Sequence, residues 1–97
     1  MTTKEEIKHL NDRFVDHFGL THQLGKLEEE LVEALEAVRN YNNNQSLGNE
    51  LEMILELGDV SNLMEQVIRD MCLTGVMEHY RLKKLRERAK KYLPNEN

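Results

Sequence analysis

Apolar positions along this chain recur at helical spacing and almost nowhere alternate as a strand would require. From Leu24, the residues Leu24, Leu27, Leu31, Ala34, Leu35 and Val38 fall on one stripe at about 100° per residue, so a helix is predicted with that stripe as its buried face. An earlier helix is predicted over about residues 3–18. It stops at "HFGL", where Gly19 is a natural C-terminal breaker, and Thr21 begins the second.

The second helix should end at "NYNNNQS", because asparagine side chains compete for backbone hydrogen bonds. Ser46 can cap a third helix that starts near Leu47, with Glu50 well placed in its first turns, and that runs to about Leu73. Its centre, "MILELGDVSNLM", is apolar on nearly every side, the pattern of a helix surrounded by others. "TGV" at 74–76 reads as the break before a basic fourth helix, "MEHYRLKKLRERAKKYL", which Pro94 and "NEN" terminate. The expectation is an all-α, four-helix bundle forming a single domain over residues 1–97.

Length and charge refine that picture. Ninety-seven residues bury only a modest core, so completion of the bundle by a homodimer or homotetramer is expected. Residues 1–78 carry 6 basic and 16 acidic side chains, whereas 79–97 carry 7 and 2. The last helix is thus a separate electrostatic object on an acidic body, and a broad nucleic-acid surface is not expected. One cysteine, Cys72, permits no internal disulfide and fits a reducing cytoplasm. No stretch approaches the roughly 18 to 20 apolar residues of a membrane span, and no export signal is evident.

Acid then becomes the chief chemical signal. Glu30 lies roughly 90° from the centre of the second helix's stripe, and Glu33 follows at i+3 beside Ala34 and Ala37. Glu56 and Asp59 repeat that spacing on the third helix and are the only charges between Met53 and Met64. On neighbouring antiparallel helices the four carboxylates would converge, and their repulsion, about 1 to 4 kcal/mol per close pair, calls for a divalent cation. Oxygen ligands without His or Cys favour Mg²⁺ or Mn²⁺. Gly58 leaves one side open for close approach. The competing reading is a solvated acidic face.

"EELVE" at 29–33, separated by 22 residues from "ELGD" at 56–59, resembles the EExxE…ExxD pattern of MazG-type, all-α nucleoside triphosphate pyrophosphohydrolases. The lead-in "FGLTHQLGKLEEEL" and the basic last helix extend the resemblance over about residues 18–92, while Val32 stands where the commonest family form has glycine. The resemblance implies Mg²⁺-dependent hydrolysis of a nucleoside triphosphate between its α and β phosphates, to the monophosphate and pyrophosphate, in nucleotide-pool cleansing. It places the metal on Glu30, Glu33, Glu56 and Asp59. Glu29 is then a candidate for orienting or deprotonating the attacking water, the other reading being a surface residue.

Arg81, Lys84 and Arg88 recur at i, i+3, i+7 and offer one cationic face for the β and γ phosphates, with complementing of the helix dipole as the bland alternative. Gln23 and Asn62 are amides suited to a base edge or a ribose, although helix-surface hydrogen bonding is the plainer role for Gln23. The four histidines show no recurring ligand spacing. A non-catalytic helical nucleotide-binding or regulatory interaction protein is the rival function.

Overall fold

Thr2 and Glu5 start the first helix, α1 (Thr3–Phe18): the Thr2 hydroxyl accepts from the Glu5 amide at 3.1 Å, and the Glu5 carboxylate accepts from the Thr2 amide at 2.9 Å. This reciprocal box satisfies donors that a helix start otherwise leaves unpaired. The arrangement is seen in a computed structural model that describes residues 1–93 and 95, all-helical and without a strand among those residues. Gly19 ends α1 at φ +83°, a backbone region that would strain any side chain, and the chain turns at once into α2 (Leu20–Asn43).

The α2 helix runs further into the asparagines than expected, because Asn42 and Asn43 remain helical and only Asn44 adopts an extended backbone. Ser46 caps α3 (Leu47–Asp70) as expected, its hydroxyl accepting from the Asn49 amide at 3.1 Å. The Asn49 side chain in turn donates to Asn44 O at 2.9 Å and fastens the connection.

The break before α4 (Thr74–Tyr92) falls at Met71–Leu73 and not at "TGV", which forms the helix's first turn. Cys72 adopts φ 55°, and the Leu73 amide reaches back to Ile68 O at 2.9 Å. That bond closes the end of α3 in the manner usually supplied by glycine, so the glycine at 75 misdirected the expectation. Pro94, named as a terminator, lies outside the described residues.

Helices α1, α2 and α3 pack on one another. Their buried apolar residues are Val15 of α1, Ala34 and Ala37 of α2, and Val60, Leu63 and Val67 of α3. Two expectations are corrected by this list. On α2 the alanines face α3, leaving Leu24, Leu31 and Leu35 exposed; small side chains allow close approach of two backbones, which rotates the leucines out of the seam. On α3, only the C-terminal half is enclosed, and Leu51, Ile54, Leu55 and Leu57 are exposed.

The fourth helix buries no residue. The radius of gyration is 16.5 Å, against about 12.5 Å for a compact chain of this length. Accessible surface is 7979 Å², where an 11.4 kDa monomer is expected to show about 5,800 Å². No described helix is long and apolar enough to cross a membrane.

Candidate metal centre

The α2–α3 seam carries the acids. Glu30 is half-buried beside Ala34, on the flank of α2 that approaches α3, and Glu33 stands one turn on toward solvent. Glu56 is half-buried on the facing side of α3, four residues before Val60. Carboxylate oxygens of Glu30, Glu33 and Glu56 all lie within 4.8 Å of one another, contributed by helices whose sequence positions are far apart.

Electrostatics in this triad is strained in one direction. Burial, then the charges of Glu33 and Glu30, pushes the Glu56 carboxyl from its ordinary 4.5 up to about 7. Burial and the Glu33 charge likewise raise Glu30, with a further contribution from Asp59, while contact with Glu56 acts in the opposite sense. Glu30 Oε2 and Glu56 Oε2 are buried and find no hydrogen-bond donor among the described residues. Carboxylates are acceptors only, so such a group is stable when it binds protons or a cation.

Asp59 is exposed and stands outside the triad, close enough for its charge to act on Glu30. Three of the four expected metal positions are therefore brought together and the fourth is adjacent. A small hard cation held by oxygen ligands suits this donor set, with water or phosphate oxygens to complete its shell.

Glu29 is exposed and accepts from Lys26 Nζ at 3.1 Å. One helical step rotates it about 100° from Glu30, but it stands one turn before Glu33 and lines a shallow surface pocket with it, so the candidate water-activating residue lies on the solvent flank of the triad. Arg81, Lys84 and Arg88 do share one exposed face, where they border a groove with Tyr80 and Leu85. That groove includes no residue of α2 or α3. Within one chain, the cations and the triad are thus not joined.

Gln23 is buried, which corrects its reading as a helix-surface amide. Its Nε2 donates to Gln66 Oε1 at 2.6 Å, and its Oε1 lies 2.7 Å from His22 Nδ1. Gln66 Nε2 donates in turn to Asn11 Oδ1 at 3.0 Å, and Asn11 Nδ2 donates to Glu65 and, at 3.4 Å, to Asn62 Oδ1. Asn62 therefore helps to dock α1. This amide chain joins α1, α2 and α3, and no pattern along the chain marks Asn11 or Gln66, since isolated amides 55 residues apart have no spacing to detect.

Comparison of the chain with protein families, curated proteins and solved structures finds no match.

Proposed function

We propose that this protein is a divalent-cation-dependent nucleoside triphosphate pyrophosphohydrolase of the MazG-like kind, cleaving between the α and β phosphates to yield a nucleoside monophosphate and pyrophosphate. The observation that carries the reading is the triad of Glu30, Glu33 and Glu56, with two buried oxygens that meet no donor among the described residues. Nothing in the packing of α2 on α3 requires three carboxylates at that seam, and their repulsion works against it.

Glu30, Glu33 and Glu56 would hold Mg²⁺ or Mn²⁺, with Asp59 closing the outer side. When bound, such an ion neutralises phosphate charge, polarises the phosphorus and lowers the pKa of a coordinated water. Glu29 keeps a role in orienting water only if its tie to Lys26 is released when substrate enters. The Arg81, Lys84 and Arg88 face would meet the β and γ phosphates in an assembled homodimer or homotetramer, since it does not do so within one chain.

The test is a panel of canonical and modified nucleoside and deoxynucleoside triphosphates, incubated with protein and Mg²⁺ and assayed for pyrophosphate. Release with at least one base, abolished by EDTA and by Glu56→Gln, is expected. Absence of pyrophosphate for every base, with wild-type Mg²⁺ affinity retained by Glu56→Gln, would overturn the reading and favour a non-catalytic helical binding protein.

A further inference from the structure

The triad is short of positive charge within its own chain, because the groove of Arg81, Lys84 and Arg88 includes no residue of α2 or α3. One cation does stand on α2 itself. On an ideal helix Lys26 projects about 40° from Glu30 and about 20° from Glu33, one and two turns before them, so it shares the face that carries both acids. Its ammonium donates to Glu29 Oε2 at 3.1 Å, and among the described residues it is the only cation in an ion pair with an acid of α2. The Glu29 hydrogen bond and charge raise Lys26 above its ordinary 10.5, and the charges of Glu30 and Glu33 act in the same sense. The lysine is thus charged and stands within the field of the triad.

That pair is easily broken. Both side chains are open to solvent, Lys26 at 49% and Glu29 at 63%, and an exposed pair of this kind shifts an equilibrium by no more than about fivefold. A triphosphate held at the triad brings several anionic oxygens to the same face, against the single carboxylate of Glu29, and multiple charge-assisted bonds to phosphate are the stronger. The lysine stem is flexible and ends in three donors on a point charge, so it can turn toward Glu30 and Glu33 without any change of backbone. Glu29 stays behind, one turn before Glu33, where the two acids line a shallow pocket with Gly25 and Val32. Once Lys26 leaves, that carboxylate has no other hydrogen-bond donor among the described residues.

We propose that Lys26 is the phosphate-contacting residue of this site and acts by exchange: a bound triphosphate draws its ammonium off Glu29, and the freed carboxylate faces the pocket beside Glu33, where it holds the attacking water. The exchange depends only on phosphate binding, whereas the role given to the water rests on the hydrolytic reading proposed above. Without substrate the Glu29 carboxylate is masked. A nucleoside monophosphate, with fewer anionic oxygens, competes less well with Glu29 for the ammonium, which favours release of that product.

The experiment is calorimetric titration of the full chain with inorganic tripolyphosphate in Mg²⁺, a probe that has the phosphates and no base. Wild type is compared with Lys26→Gln, Lys26→Arg, Glu29→Gln and the Lys26→Gln/Glu29→Gln double variant, all of which should keep the wild-type circular dichroism because both positions are exposed. Lys26→Gln should weaken binding by about tenfold or more, and Lys26→Arg should restore most of it. Glu29→Gln should tighten binding about two- to fivefold, since the masking pair is gone, and that gain should vanish in the Lys26→Gln background. Glu28→Gln removes an equal charge from the same pocket without touching Lys26, and should leave the affinity within about twofold of wild type. In turnover of a nucleoside triphosphate, Lys26→Gln should act chiefly on KM and Glu29→Gln chiefly on kcat. Wild-type protein that does not bind tripolyphosphate overturns the inference, as does unchanged affinity in Lys26→Gln. A gain from Glu29→Gln that persists at full size without Lys26 overturns it too, because repulsion alone then explains the gain. If the binding cycle holds and no triphosphate is cleaved, the exchange stands and the hydrolytic reading alone fails; if pyrophosphate is released and the cycle is additive, the reverse is true.

Discussion

Two polar clusters share the α2–α3 pair and have opposite chemistry. At one end Gln23, Gln66 and Asn11 are buried and pass hydrogen bonds from helix to helix. Each amide offers both donors and an acceptor, so three side chains satisfy one another and fix how α1 sits. At the other end Glu30, Glu33 and Glu56 bring only acceptors, and two buried oxygens are left without a donor among the described residues. Buried polarity is therefore not in itself the sign of a site. A missing complement is, because the cost of desolvation has then to be offset from outside the chain.

The sharpest way to break this contrast is to neutralise a member of the triad. Glu30→Gln or Glu56→Gln should lower kcat/KM for pyrophosphate release by more than about 100-fold, beyond what outer-shell partners of a metal typically cost, while either change raises the thermal stability of metal-free protein. Gln66→Leu should do the reverse. It strands Gln23 and Asn11 and should cost about 1–3 kcal/mol for each buried group left unpaired, read as a lower urea midpoint. Metal affinity should be unchanged in that variant.

Protonation separates the two clusters next. The Glu56 carboxyl is raised in the fold to about 7, so the folded chain holds a proton that the unfolded chain releases near 4.5. Stability of metal-free protein should accordingly fall as pH rises from 4.5 through 7, and melting scans on Glu56→Gln should show a flatter profile. Gln66→Leu should keep the wild-type slope. Added Mg²⁺ should raise the melting temperature more at pH 8 than at pH 5, because the ligands are then ionised.

The smallest effect is expected at the exposed ion pairs that bridge α1 and α3. Arg69 meets Asp16 at 2.7 Å and Asp12 at 3.6 Å, and Lys8 holds Asp12 at 2.8 Å. The Lys8 hydrogen bond, outweighing slight burial, sets the Asp12 carboxyl below its ordinary 3.8, so this contribution is present at neutral pH and is lost in acid, opposite in sign to Glu56. Arg69→Ala should shift the urea midpoint only slightly, and added salt should erase the difference.

Helix number and most boundaries were legible because they depend on neighbours in sequence, such as a glycine at Gly19 and a serine at Ser46. The pairs Glu30/Glu33 and Glu56/Asp59 were legible as acids at i, i+3 spacing, and the otherwise uncharged stretch from Met53 to Met64 set the second pair apart before any fold is known. The α3–α4 turn was not, because Cys72 takes up a glycine-like backbone that its side chain does not advertise. The burial of α2 was misjudged for a different reason. A hydrophobic stripe gives a direction to within a third of a turn, and whether leucine or alanine sits at its centre depends on how closely the next helix approaches.

Local rules in the sequence were thus sufficient for four helices, an acidic body with a basic last helix, and two acid pairs on consecutive helices. Tertiary structure alone decided that three carboxylates converge while Asp59 stands beside them, that Glu29 faces Lys26, and that Gln23 is buried in an amide chain with Gln66 and Asn11. It also decided that α4 lies apart from the other helices. Helix formation is governed by contacts three and four residues apart, which a sequence displays directly; convergence and burial are set by the rotation and approach of whole helices, to which many weak side-chain contacts contribute together.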